Sequence, residues 1–171
     1  RNDENLLVAQ LHMSFLRFHN KLADAAGSFA NARKLTRWHY QWLTVNEYLR
    51  TVCDPAVVDD VIARSAPLYS DFFAAHGVAG STQMPLPLEF SVAAFRFGHS
   101  MIRGIYDHSR FFGEAVNGFP NGQPQAEFNL LFGFTGNGDM LGTGPQLPSN
   151  WVIEWDRFVH LDPTRPRRRA R

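Results

Sequence analysis

The stretch "AAFRFGHSMIRG", residues 93–104, places one histidine in a run that is apolar at most positions. Arg96 lies three residues before His99, and Arg103 lies four residues after it. On an α-helix these offsets bring the three side chains onto one face. The other faces of the segment, from about residue 88 to 108, are apolar, which is typical of a buried helix. The sequence therefore predicts a buried helix with His99 between two arginines along one side.

Two interpretations of this histidine remain open from these residues alone. A neutral imidazole is a common metal ligand, and guanidinium groups bind carboxylates. Haem offers both an iron and two carboxylates, so one hypothesis is a haem site in which His99 binds the iron. The alternative is structural: His99 bonds to a backbone carbonyl in the core, and Arg96 and Arg103 lie along the helix with their charged ends in solvent.

The rest of the chain also favours helices. Apolar residues recur at steps of three and four over residues 5–25 and again over residues 32–52, which predicts two amphipathic helices. Asp54 followed by Pro55 predicts the start of a shorter one. We expect one mainly α domain, with a helical core over residues 5–108 and an irregular region rich in glycine, asparagine and proline over residues 113–149. A terminal helix and a basic tail would complete it over residues 150–171.

Composition limits the classes of function. The 171 residues are 44% hydrophobic and 19% charged, as expected of a globular chain. The net charge of +1 gives no support for a nucleic-acid partner, and we interpret the basic run at residues 165–171 as a solvated tail. The single Cys53 excludes an internal disulfide and a cysteine-rich zinc site. No apolar run reaches eighteen residues, so we expect no membrane span. The sequence shows no targeting segment that would decide between a secreted and a cytoplasmic location.

Three stretches, taken in order, carry a resemblance to a known family. They are "RNDENLLVAQLHMSFLRFHNKLAD" at 1–24, "ARKLTRWHYQWLTVNEYL" at 32–49 and "AAFRFGHSMIRGIYD" at 93–107. The first resembles an Arg-x-x-Glu motif followed by a helix with His-Asn-x-Leu, and the third resembles a helix that bears a proximal histidine. Together they resemble the central part of an animal-type haem peroxidase domain, of the peroxidase–cyclooxygenase superfamily, and look most similar to bacterial members.

The resemblance implies a haem cofactor and a role for each matching residue. His99 would be the proximal axial ligand to the haem iron. Arg1 would be the catalytic arginine that polarises bound peroxide, and Glu4 would be the carboxylate that some members join to haem through an ester. Arg96 would lie near a haem carboxylate, and Arg103 is added to the cofactor-binding residues by helix geometry alone. The structural alternatives are a frayed chain end for Arg1 and a first-turn helix residue for Glu4.

Other parts of the family's site have no match in this chain. The distal histidine that handles the peroxide proton and the aspartate that binds calcium belong to a stretch before residue 1. The asparagine that bonds the proximal histidine belongs after residue 171. The resemblance therefore implies a domain that is incomplete at both ends, with a calcium site whose ligands are elsewhere. We expect missing segments or a second chain to complete the domain, and little activity from these residues alone.

The resemblance implies a haem-dependent peroxidase that reduces hydrogen peroxide, oxidises a small-molecule electron donor or a halide, and takes part in the response to oxidative stress. Arg96 stands where fatty-acid oxygenases of the superfamily place a radical tyrosine, which favours peroxidase chemistry. Asn5 stands where some members place a methionine bonded to haem, so that link is excluded. The alternatives are a fatty-acid dioxygenase and a non-catalytic haem-binding or interaction module.

Overall fold

The computed structural model describes residues 3–77, 86–112, 125–136, 141–144, 146–159 and 164. The chain forms two compact units: a first unit of residues 1–17 and 101–171, and a second unit of residues 18–100. The expected mainly helical fold is confirmed, because α-helices and shorter 3₁₀ helices account for most of the described residues. None of the described helices combines the length and the apolarity needed to cross a bilayer.

Capping residues explain where the principal helices begin and end. Gly27, with a positive φ of 66°, follows the first helix, as expected for a residue that needs the left-handed conformation. The Ser28 hydroxyl then accepts a hydrogen bond from the Asn31 amide at 3.2 Å. Asp54 accepts one from the Ala56 amide at 2.8 Å, so both residues are N-caps. The helices are α1 (Leu6–Ala26), α2 (Phe29–Leu43), α3 (Leu49–Val52), α4 (Pro55–Ala63), α5 (Pro67–Ala75) and α6 (Leu88–Val92).

The helices predicted over residues 5–25, over 32–52 and from Pro55 are therefore confirmed. Within the second of these, residues Thr44–Tyr48 form a π-helical turn that joins α2 to α3. Such turns leave the helix continuous and shift the faces of the residues that follow. The apolar periodicity correctly indicated one helical segment, although it did not reveal this change of pitch.

The first unit has a small aromatic core. Strand β1 (Ile105–Tyr106) pairs antiparallel with β2 (Ala126–Glu127), so that Ile105 lies opposite Glu127. The indole of Trp151 makes edge-to-face contacts with Phe112 at 4.9 Å and with Phe134 at 4.8 Å between ring centroids. This geometry is favourable for aromatic rings. The buried core residues of this cluster are Leu6, Phe112, Ala126, Leu131, Phe134 and Trp151.

Gln10 on α1 attaches a loop of the first unit. Its side-chain Nε2 donates to the carbonyl of Trp151 at 3.0 Å, and its Oε1 accepts from the amide of Ile153 at 2.9 Å. The amide side chain thus satisfies two backbone groups that would otherwise lose their water on burial. This pair of hydrogen bonds holds residues 151–153 against the start of α1.

We expect Gln10→Ala to lower the free energy of unfolding of the first unit by about 1–3 kcal/mol, because it leaves two partly buried backbone groups without their partner. Urea unfolding measures this difference. The matched control is Gln41→Ala, since Gln41 is exposed on α2 and its substitution should change the midpoint little. If the two variants have equal midpoints, the Gln10 contacts do not contribute to stability.

The single helix predicted over residues 88–108 is wrong. The α-helix ends at Val92, residues Ala94–Met101 form a 3₁₀ helix, and Ile105–Tyr106 belong to β1. The predicted burial is also wrong, because residues 93–105 are exposed. An apolar helix depends on packing for most of its stability, and Gly98 further disfavours the α conformation. Without covering neighbours, this segment adopts the tighter helix.

The terminal helix predicted from residue 150 is also wrong. Residues Ser149–Trp151 and Trp155–Arg157 form two separate 3₁₀ turns. The backbone between them is engaged elsewhere, since the Ile153 amide bonds Gln10 and the Glu154 amide bonds the carbonyl of His108 at 2.8 Å. Residues 113–124 of the predicted irregular region lie outside the described residues, whereas 126–127 form β2 and Phe128–Phe132 form a 3₁₀ helix.

Candidate functional site

His99 lies in the second unit, within the 3₁₀ helix Ala94–Met101, and its side chain is exposed. Arg96 lies three residues before it, and its Nε donates to the carbonyl of Ser91 at 3.2 Å. In a 3₁₀ helix, residues three apart are eclipsed, so Arg96 and His99 lie on the same side. The structure therefore keeps the predicted pairing of these two residues, although the helix that carries them is of a different type.

Large apolar side chains near His99 in the sequence are exposed as well. Phe95 is 71% exposed and Phe97 is 46% exposed. The ring of Phe90 on α6 packs at a tilt against Phe95, with 5.8 Å between centroids. Exposed apolar side chains that lie close together are typical of interaction surfaces. The segment thus offers an accessible imidazole, an arginine and apolar contact area together.

Arg103 is not part of the helix that carries His99. It follows the end of that helix and belongs to the first unit, where its backbone amide donates to the hydroxyl of Tyr106 at 3.0 Å. The helical geometry that placed Arg103 on the face of His99 is therefore absent. The physical reason is that the helix ends at Met101, so no helical turn brings residues 99 and 103 onto one face.

Glu4 also belongs to the first unit, and it is exposed directly before α1. The N-cap of α1 is the neighbouring Asn5, whose Oδ1 accepts from the amides of Leu7 at 2.9 Å and Val8 at 3.3 Å. Glu4 is therefore outside the first turn, which removes its structural alternative as a first-turn residue. Arg1 lies outside the described residues.

Sequence reasoning missed a polar cluster in the first unit. Arg157 bonds the carboxylates of Asp107 and Glu154, each at 2.7 Å. Arg110 donates to Glu154 through its Nε at 2.5 Å and its backbone amide at 3.0 Å. Burial raises the pKa of the Glu154 carboxyl, but the hydrogen bonds from Arg157 and Arg110 outweigh it and leave that pKa below its usual value. The cluster joins residues 154–157 to residues 107–110.

Comparison with known proteins identifies the family of this chain. The sequence profile described as animal haem peroxidase matches residues 1–120. The chain belongs to the animal haem peroxidase family. A peroxidase-like protein of Margaritifera margaritifera is 30% identical over 117 residues, which cover 63% of this chain and 14% of that protein. The chain thus spans 14% of the length of this curated relative. No solved structure matches it.

The family match includes every residue proposed for the site, since Arg1, Glu4, Arg96, His99 and Arg103 all fall within residues 1–120. It confirms the resemblance to part of a haem peroxidase domain. It also ends before Trp151, so the first unit of this peroxidase-family chain takes part of its aromatic core from residues beyond the match. Those later residues pack against the family segment as one core.

The donor chemistry of the second unit fits haem, the cofactor that the family implies. Haem iron takes a single protein ligand on its proximal side, commonly histidine, and the exposed His99 leaves its ring accessible. A guanidinium suits a haem carboxylate, and exposed phenylalanines suit the macrocycle. Among the described residues, no group of three or more histidine, cysteine, aspartate or glutamate side chains gathers to hold a different metal ion.

Proposed function

We propose that this chain forms the proximal wall of a haem peroxidase domain, in which His99 would hold the haem iron. The complete domain would reduce hydrogen peroxide and oxidise a small-molecule donor or a halide, which would give it a part in the response to oxidative stress. The observation that carries this proposal is the family match over residues 1–120 together with an exposed imidazole beside Arg96 on an apolar segment. Further segments or a second chain would supply the distal side.

Each residue of the proposal has a distinct task. His99 holds the cofactor through one ring nitrogen, while Arg96 offers a planar guanidinium to a carboxylate. Phe95 and Phe97 exclude water from this side by covering apolar surface. Bound haem supplies an iron centre that exchanges electrons with peroxide and donor.

Two further residues have roles that the family resemblance implies: Arg1 acts on the charge of the peroxide, and Glu4 acts on the attachment of the haem. Arg1 polarises peroxide and stabilises the negative charge that develops on the departing oxygen. Glu4 offers the carboxylate for covalent attachment of the cofactor. The proton transfers are assigned to the family's distal histidine, which has no match among residues 1–171. The ligands of the family's calcium site have no match among them either.

A peroxide-dependent dye oxidation assay on the haem-loaded complete protein tests this function. We expect a Soret absorption band and turnover that requires peroxide. A Soret band without turnover would instead support the non-catalytic haem-binding module. Oxygen uptake with an unsaturated fatty acid, without dye oxidation, would support the dioxygenase. Absence of haem binding would contradict these three haem-dependent functions and would support the interaction module.

Arg1→Ala in the complete protein should slow the reaction with peroxide about a hundredfold, because it removes a charge-stabilising donor. Haem content should stay near that of the wild type, since Arg1 is not proposed to hold haem. Stopped-flow absorption and a haem-to-protein ratio measure the two effects. Arg17→Ala, at an exposed position on α1, is the control. Equal loss of rate and haem content in Arg1→Ala would mean that Arg1 is structural.

A further inference from the structure

A second histidine, which the proposed function does not use, lies in the core of the first unit. His108 follows β1 and is 0% exposed. Its ring packs against Phe112, with 4.7 Å between centroids, and Phe112 in turn contacts Trp151. Within the described part of the chain, neither ring nitrogen of His108 has a hydrogen bond of good geometry. A buried imidazole without such bonds is costly to charge.

The charged groups around His108 come from both segments that pack there. Asp107, beside it in sequence, favours the charged ring, whereas Arg157 disfavours it. The Asp107 carboxylate is already bonded to Arg157 at 2.7 Å, and Glu154 is bonded to Arg157 and Arg110. The backbones of Tyr106 and Trp151 approach the ring and favour its charged form slightly. Burial exceeds all of these influences and lowers the pKa of His108 below its usual value.

We propose that His108 is a pH-sensitive switch within the first unit: its protonation releases residues 149–157 from residues 105–112. Among the described residues of the core, none hydrogen-bonds the ring with good geometry, so the charged form becomes stable only when the packed segments separate and water reaches it. The bond most directly affected is the one from the Glu154 amide to the His108 carbonyl, at 2.8 Å. The ion pairs of Glu154 do not respond in the same range, because hydrogen bonds from Arg157 and Arg110 hold the pKa of Glu154 below its usual value.

The direction of the pH effect follows from proton linkage. The packed form binds the proton on His108 more weakly than the open form, in which the imidazole has its usual pKa near 6.5. The stability of the packed form is therefore complete above that value and decreases as the pH falls through it. Between pH 7.5 and pH 5.5, the equilibrium constant for packing should fall by up to about tenfold.

Hydrogen exchange of the full chain tests this switch through peptides that cover residues 150–157. Wild type and His108→Leu are compared at the same pH, which removes the intrinsic pH dependence of exchange. Leucine keeps most of the volume and cannot be protonated. We expect the protection of these peptides to fall up to about tenfold between pH 7.5 and 5.5 in the wild type, and not in His108→Leu. The control is His12→Leu, an exposed position of the same unit, which should behave as the wild type does.

An equal loss of protection in His108→Leu would overturn the proposal. An NMR titration of the His108 ring in the wild type gives a second test that does not depend on the folding of the variant. We expect the ring to titrate below the usual histidine range, because the packed form binds the proton more weakly than the open form. Protonation in the usual range while residues 150–157 stay protected would equally overturn it.

Discussion

His99→Ala is expected to abolish the Soret band of the haem-loaded complete protein or to shift it to that of weakly bound haem. The reason is that the methyl group of alanine has no lone pair with which to bind the iron. The neighbouring Arg96 cannot replace His99 as a ligand, because its guanidinium is a donor without an acceptor lone pair. The absorption spectrum and the haem-to-protein ratio after gel filtration measure the effect. Peroxide-dependent dye oxidation should be lost together with the band.

The matched control for this substitution is His76→Ala. His76 is another exposed histidine of the second unit, and its Nδ1 lies 2.8 Å from the carbonyl of Phe72. Because His76 has no proposed role toward haem, its variant should keep the wild-type spectrum. A wild-type Soret band in His99→Ala, or the same loss in both variants, would contradict the assignment of the axial ligand.

Trp151→Ala is expected to lower the stability of the first unit by about 3–5 kcal/mol, the usual cost of truncating a buried tryptophan. Trp151 is 4% exposed and contacts both Phe112 and Phe134. Its removal leaves a cavity between the rings of Phe112 and Phe134. A total stability of roughly 5–15 kcal/mol is typical, so urea unfolding and hydrogen exchange should show the loss of a large share of the stability of the first unit.

The control for that prediction is Trp42→Ala, because Trp42 is 57% exposed on α2. The same atoms are removed there from a surface position, so the urea midpoint should change much less. Equal midpoints for the two variants would show that the aromatic cluster around Trp151 does not hold the first unit together. The prediction also tests the contribution of residues beyond the family match.

The predictable parts of the fold are those whose signals are local. The helices α1, α2 and α4 follow from apolar periodicity and, for α4, from the Asp54–Pro55 start. The segment over residues 88–108 shows a comparable apolar pattern, but its conformation depends on what covers it. Residues 93–105 of this segment are exposed, so the apolar periodicity was present but predicted the wrong structure.

The same distinction applies to the functional residues. Arg96 and His99 are close in sequence, and their spacing was enough to place them on one side of a helix. Asp107 and Arg157 are fifty residues apart, and only the folded chain brings them together. The burial of His108 likewise depends on residues 149–157, which no local pattern connects to it. The family resemblance supplied roles for Arg1 and Glu4 that no spacing could have predicted.

The proposed function depends first of all on His99 as the ligand that holds the haem iron. The most direct test adds free imidazole to haem-reconstituted His99→Gly, in which the space left by the side chain can admit the small ligand. We predict that the Soret band and dye oxidation are absent without imidazole and return toward wild type as imidazole is added. A wild-type Soret band before any imidazole is added, or a spectrum that does not change with imidazole, would contradict the claim.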